Sequence, residues 1–309
     1  MELKHLPKEG EHTYQWPALP FEDWKDTCET LHMWTQIVGK IRLMLSPYSN
    51  HWWQVPLYIT ARGLTTSSIP YERGIFEIDF DFIDHSLLIL TSEGQKKTIP
   101  LSPRSVATFY REVMNALREL GIEVVITTLP CEVTAPVRFD QDEAHASYDP
   151  AFVERFWHVL IEIEKLLKRY RSQFLGKCSP VHFFWGSFDL ALTFFSGQPA
   201  PEREGADAIT REAYSYQVIS CGFWPGNTSF PHPAFYSYTA PVPPGLESVS
   251  IRPQAAFYSQ QMGEFFLRYE DVRIMENPEQ AVLEFFQSTY EAGARLAGWD
   301  REKLERKQN

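Results

Sequence analysis

The sequence predicts an α+β protein built as two similar α-β-β-β-α halves, with antiparallel sheets packed against helices. Three observations predict it. Amphipathic helical stretches open and close each half. Short alternating segments lie between them. The connectors between those segments are too brief for parallel crossovers, so the strands pair with antiparallel neighbours. Recurrence of the pattern suggests an internal duplication.

The first half covers residues 1–127. Phe21, Trp24, Cys28, Leu31, Val38, Ile41 and Leu45 recur at mostly helical spacing, and Ser46-Pro47 ends that helix. A strand is expected over residues 51–60. Residues 76–82 read Phe-Glu-Ile-Asp-Phe-Asp-Phe, and strict alternation puts aromatics on one sheet face and carboxylates on the other. Further strands are expected at 86–90 and 97–101. Ser102-Pro103 looks like a helix start, Val106, Phe109, Val113, Leu117 and Leu120 form its buried stripe, and Gly121 closes it. Residues 122–127 read as a strand.

Residues 128–149 have no clear period and form a connector. The second half covers 150–309. Asp149-Pro150 caps a long helix that Gly176 stops. Strands are expected at about 181–195, 214–221, 234–240 and 264–267, with a Pro/Gly-rich loop over 197–210. Asn277-Pro278 caps the closing helix, and Gly298 ends it. A specific parallel links the halves: Ser46-Pro47 precedes His51-Trp52-Trp53, and Ser179-Pro180 precedes His182-Phe183-Phe184.

Composition bounds the function. Hydrophobic residues make up 44% of the 309 and charged residues 22%, which fits a globular chain with a substantial core. The net charge of -11 disfavours nucleic acid and anionic membrane as partners, because phosphates are repelled. Cys28, Cys131, Cys178 and Cys221 stand far apart, as free thiols in a reducing cytoplasm do. Residues 1–15 lack the apolar core of a secretory leader, and the most apolar run, 181–195, is too short to span a bilayer. Phosphate-loop, dinucleotide, zinc-protease, nucleophile-elbow and EF-hand motifs are absent, so no cofactor is implied.

The chain offers several clusters that could carry chemistry. Glu29-x-x-His32 has di-iron spacing but no second pair. Glu154, His158 and Glu162 read as a solvated helix face, and Glu77, Asp79 and Asp81 as a charged sheet face with lysines nearby. None makes a convincing metal site. His51, Trp53 and Arg62 form one stronger group. His182, Trp185 and Asp189 form the strongest, because an Asp among Phe, Leu and Trp must be hydrogen-bonded, paired or shifted in pKa. On an unbroken strand, Trp185, Ser187 and Asp189 would share a face. Trp224 lies in a rigid aromatic turn over residues 222–227, and Tyr214 precedes the strand leading into it. Cys221 reads as a buried, inert thiol.

Several longer strings resemble one bacterial family. They include Trp16-Pro17-Ala18-Leu19-Pro20, Leu31-His32-Met33-Trp34-Thr35-Gln36, Asn50-His51-Trp52-Trp53, residues 76–85, His145-Ala146-Ser147-Tyr148-Asp149-Pro150, residues 179–191 and Ser196-Gly197-Gln198-Pro199. The family is the domain of unknown function numbered 5996, and the resemblance spans nearly the whole chain. It implies a full-length member of one family and carries no activity, cofactor or catalytic residue.

The functional expectation is a small-molecule binding protein or enzyme with an aromatic-lined cleft between the halves. His182 and Asp189 would move a proton or anchor the ligand. His51, Trp53, Trp185, Tyr214 and Trp224 would line the cleft, and Arg62 would take an anionic group. The alternative is a non-catalytic interaction or scaffold protein, marked by an exposed aromatic patch around Phe223-Trp224-Pro225.

Overall fold

The computed structural model describes residues 16–307. The polar stretch 1–15, read above for the absence of a leader, lies outside them. Two antiparallel six-stranded sheets carry helices against one large apolar core, with two small apolar clusters on the other face of the second sheet. The chain is α+β, as its periodicities predict.

Helix α1 (Phe21–Leu45) starts with Glu22 and Asp23, whose charges suit its positive end, and stops at Ser46. It is a central element rather than a surface one. Thr30, Thr35 and Gln36 are as fully buried as Trp34. Their polar atoms therefore need partners. Thr30 Oγ1 donates to the Asp26 carbonyl, and Thr35 Oγ1 to that of His32. The Gln36 amide brackets Cys131, donating to its carbonyl at 2.9 Å and accepting from its N–H at 2.9 Å. Lys40 Nζ donates to the Leu129 carbonyl at 2.6 Å and to Thr127 Oγ1 at 3.0 Å. The expected connector is thus a packed strap across α1.

The first sheet has the order β1-β2-β4-β5-β6, with β3 also on β4. Its strands are β1 (Tyr58–Ile59), β2 (Gly63–Thr65), β3 (Ile69–Tyr71), β4 (Gly74–Asp81), β5 (Ser86–Thr91) and β6 (Lys96–Pro100). Alternation along β4 holds: Phe76, Ile78 and Phe80 are buried in the core. Helix α2 (Val106–Glu119) is capped by Ser105, whose side chain accepts from the Thr108 N–H, and not by Ser102. Gly121 ends it in the left-handed conformation at φ 72°.

Helix α3 (Pro150–Arg171) begins at Asp149, whose carboxylate accepts from the Ala151 and Phe152 N–H groups. It ends at Ser172, short of Gly176. The second sheet follows, with the order β11-β12-β10-β9-β8-β7. Its strands are β7 (His182–Phe184), β8 (Asp189–Pro199), β9 (Tyr216–Trp224), β10 (Ala234–Ala240), β11 (Phe257–Ser259) and β12 (Glu264–Arg268). Helix α4 (Ala208–Ala213) precedes β9. After β12 come α5 (Tyr269–Arg273), α6 (Pro278–Leu296), capped by Asn277, and α7 (Arg301–Leu304). Gly298, at φ 68°, follows α6. The two sheets meet edge to edge: Leu57 and Phe183 exchange backbone hydrogen bonds of 2.9 and 3.0 Å.

Four expectations are corrected. Residues 51–60 do not form one strand. Asn50–Trp52 is a 3-10 turn with His51 at φ 56° and Trp52 at φ 59°, so the chain reverses before the short β1. Residues 181–195 are two strands broken at 185–188, with Phe188 at φ 61°. Residues 122–127 form no strand; Ile122 and Ile126 are buried without joining either sheet. The expected loop over 197–210 holds the end of β8 and the start of α4, which Asp207 caps through the Ile209 and Thr210 N–H groups.

The Asp149 cap is a testable part of this fold. Asp149→Ala is expected to lower unfolding free energy by about 1 kcal/mol in urea titration, and Asp149→Asn to recover most of it.

Candidate functional site

The central strands β8, β9 and β10 of the second sheet are buried on both faces. Leu190, Leu192 and Phe194 of β8 enter the helix-side core. Asp189, Ala191, Thr193 and Phe195 point the other way, as period-2 alternation requires. They floor a cavity of about 1010 Å³. The floor continues through Val218, Ser220 and Trp224 of β9, Tyr236 and Tyr238 of β10, and Glu264 and Phe266 of β12. The walls come from Glu29 and His32 of α1, the 51–55 turn, the strap around Glu132, and the α4 segment. Both halves of the chain therefore contribute.

Register explains the centre of the floor. His182, Ala191, Gly222, Tyr236 and Phe266 lie in one row across the sheet. Gly222 leaves a gap in that row. A Cβ there would fall 2.7 Å from the Tyr236 hydroxyl and 2.0 Å from the Leu190 carbonyl oxygen. Through the gap Tyr236 lies across β9, and its hydroxyl donates a short hydrogen bond to Asp189 Oδ2. The other oxygen, Oδ1, is buried with no partner. Burial pushes the Asp189 pKa up to about 7, against the pull of the Tyr236 hydrogen bond and with the help of Glu132 and Glu264. Glu264 is likewise raised to about 7 by burial.

Trp185 does not share a face with Asp189. Its ring lies so close to Gly39 that a Cβ on that glycine would approach it to 2.3 Å. Its Nε1–H donates to the Val55 carbonyl at 2.8 Å. This anchorage takes the chain out of the sheet and breaks the expected strand. Trp185 still lines the cavity.

His182 is fully buried, and neither ring nitrogen has a partner. Trp53, Tyr58 and Phe184 surround it, at centroid distances of 6.0, 5.7 and 5.3 Å. Burial, then the nearby Arg42 and Arg171 charges, lower its pKa to about 3. It is neutral at physiological pH. Asp189 therefore pairs with Tyr236, and the expected His182–Asp189 proton couple is not assembled.

His51 is held by α4. Its N–H donates to Glu212 Oε1 at 2.9 Å, and its Nδ1–H to the Glu212 carbonyl at 3.1 Å. That fixes Nε2 as the acceptor for Lys177 Nζ at 2.7 Å. The same ammonium lies 5.3 Å from the Trp53 ring centroid, 5.2 Å from Phe195 and 5.8 Å from Tyr216. Tyr214 shares a hydroxyl hydrogen bond with Tyr238 at 2.9 Å, and Arg203 stacks over it at 3.6 Å. Trp224 stacks on Phe230.

Of the residues singled out in the sequence, His51, Trp53, His182, Trp185, Asp189, Tyr214 and Trp224 all line this one cavity. Arg62 does not. It belongs to the first sheet, where it bonds Asp81 and Asp84 at 2.6 Å each. Sequence reasoning missed Tyr236 as the Asp189 partner, Glu264 as a second buried acid, and Lys177. An acid heading the aromatic strand at Glu264-Phe265-Phe266 was the available signal for the second of these. Cys221 faces the helix-side core, and burial pushes its thiol far up, so it offers no nucleophile. Among the described residues no group of three or more His, Cys, Asp or Glu is arranged to hold a metal.

Fold and site together define an α+β protein with an open-mouthed, aromatic-walled acid site on one sheet. The chain belongs to a family of unknown function, DUF5996, whose model matches residues 16–306. No curated protein and no solved structure matches it.

Two outcomes follow from the Asp189 environment. A carboxyl whose folded pKa exceeds its unfolded value stabilises the fold below the unfolded pKa, and that contribution is lost as pH rises through the folded one. Between pH 4 and 7, Asp189→Asn should therefore gain stability over the parent with increasing pH, reaching a few kcal/mol by pH 8 in denaturant titrations. Gly222→Ala should cost on the order of 1–3 kcal/mol by forcing Tyr236 off Asp189, and because the Tyr236 hydrogen bond holds the Asp189 pKa down, its loss should steepen that pH dependence.

Proposed function

We propose that the cavity is a small-molecule site, and that Asp189 meets the ligand as an anchor or as a general acid and base. One observation carries the reading. A buried carboxyl has one oxygen fixed by Tyr236 and the other unpartnered, on the floor of a cavity large enough for a drug-sized molecule. A pKa near 7 suits proton transfer in either direction at neutral pH. Trp53, Trp224, Tyr214 and Tyr238 supply flat apolar faces to hold a ring or hydrocarbon body.

The scaffold alternative rests on an exposed aromatic patch. Phe223 and Pro225 are buried, and Trp224 packs on Phe230, which favours the ligand reading over it. We also read the two halves, 1–127 and 150–309, as products of a duplication. Each contributes a six-stranded antiparallel sheet, and the Ser-Pro…His markers at 46–51 and 179–182 precede the two sheet edges that meet at Leu57 and Phe183. Four free cysteines favour a reducing, cytoplasmic setting. No helix among the described residues is long and apolar enough to cross a membrane.

A crystallographic screen of a diverse fragment library tests the site. Fragments should collect on the β8–β10 floor. Their affinity should fall at least ~10-fold in Asp189→Asn, the size expected for losing one charge-assisted hydrogen bond, and less in Tyr236→Phe. An empty cavity with fragments bound elsewhere would remove the reading.

A further inference from the structure

The charge of the ligand can be read from what the cavity lacks. Three aspartates are buried among the described residues: Asp81, Asp142 and Asp189. Asp81 is neutralised by Arg62 and accepts from the Ile83 and Asp84 amides. Asp142 accepts from His145 Nδ1 at 2.7 Å and from the Ala144 and His145 amides. Asp189 has a neutral phenol on Oδ2, the Ser187 hydroxyl nearby, and no cation. Its Oδ1 is the one oxygen of the three aspartates that is fully buried without a partner among the described residues, and Asp189 is one of the residues that line the cavity. Leaving such an oxygen unpaired costs on the order of 1–3 kcal/mol, so its retention asks for an occupant that supplies a donor.

The rest of the lining has the same sign. Glu264 shares the floor and has no ion pair among the described residues, and Glu132 sits on the wall. The one arginine that lines the cavity among the described residues, Arg203, is spread over the Tyr214 ring. An anion would enter a field of its own charge, in a chain of net charge -11. Beside the cavity the protein also holds an ammonium against aromatic rings: Lys177 Nζ lies 5.3 and 5.2 Å from the ring centroids of the lining residues Trp53 and Phe195, and 5.8 Å from that of Tyr216.

We propose that the cavity takes an organic cation, a protonated amine or guanidine carried on an apolar or aromatic body, with Asp189 and Glu264 facing the positive charge and Tyr214, Trp224, Tyr236 and Tyr238 giving it aromatic faces. This rests on the cavity being a ligand site, and it reverses the anionic group that Arg62 was expected to hold. It also carries a proton balance. Tyr236, Ser187, Glu132 and Glu264 are the groups that act on Asp189, and none is a cation. The empty acid is therefore largely protonated below neutrality. An arriving cation favours the carboxylate, so binding releases the Asp189 proton to solvent.

Matched triplets test this: a primary amine, an alcohol and a carboxylate on each of phenylethyl, naphthylmethyl and cyclohexylmethyl bodies. They would be titrated calorimetrically at pH 6.5 and low salt against the whole chain. At least one amine should bind ~10-fold or more tighter than its alcohol, about 1.4 kcal/mol, with its carboxylate weaker still. Heats in two buffers of different ionisation enthalpy should show proton release. Asp189→Asn should abolish most of that release and bring amine and alcohol within ~2-fold of each other, while Glu264→Gln should narrow the gap partly. Circular dichroism of each variant separates lost binding from lost fold. Alcohols or carboxylates binding as tightly as their amines would overturn the cation and leave the ligand site standing. No saturable binding by any member of the triplets would overturn both.

Discussion

Trp185 is the fastening on which the site depends. Its indole N–H reaches the Val55 carbonyl, and its ring lies flat on Gly39 of α1. Those contacts join the first helix, the segment leading to the first sheet, and the turn that separates β7 from β8. Because the tryptophan is drawn out of the sheet, the chain must reverse at 185–188, and β8 starts afresh at Asp189. The reversal sets the phase of β8. From it follow the apolar side chains that enter the core and the Asp, Ala, Thr and Phe that floor the cavity.

Asp189 then shows how burial can be made chemically useful. A carboxylate in an apolar site is destabilised by lost hydration, and proteins usually answer with a cation or several amides. The molecule uses both answers elsewhere, at Asp81 and Asp142. At Asp189 it supplies the Tyr236 hydroxyl, delivered through the space that Gly222 leaves. The outcome is an acid held near the point of ionisation, with its geometry set by backbone hydrogen bonds on either side.

Much of the fold was legible because it is written in local periods. The alternation of Phe76, Ile78 and Phe80, the Asp149-Pro150 cap and the Asn277-Pro278 cap needed no tertiary information. Errors arose where tertiary contacts override local preference. The aromatic residues at 51–53 look like strand, yet His51 and Trp52 take left-handed conformations because Glu212, far along the chain, grips the backbone and ring of His51. The run 181–195 looks like one long strand until Trp185 is seen to belong to α1. For the site, residue type alone identified the unusual Asp and the aromatic clusters. Partners were another matter. Nothing in the sequence says that Tyr236 crosses a neighbouring strand to Asp189, or that Arg62 spends its charge on a different sheet.

The floor and the covers of the cavity differ mechanically. The floor is a ladder of five antiparallel strands, β7 to β10 and β12, where moving one side chain disturbs its neighbours in a row. The covers are the 51–55 turn, the strap around Glu132, and α4, which buries none of its own residues. They touch the site through side chains and loop backbone alone. Changes in the covers can thus reshape what enters without shifting Asp189, whereas changes in the floor alter the acid itself. Under the proposed ligand reading, diversification within such an architecture is channelled: ligand choice would drift at the rim while the acid stays fixed in the sheet.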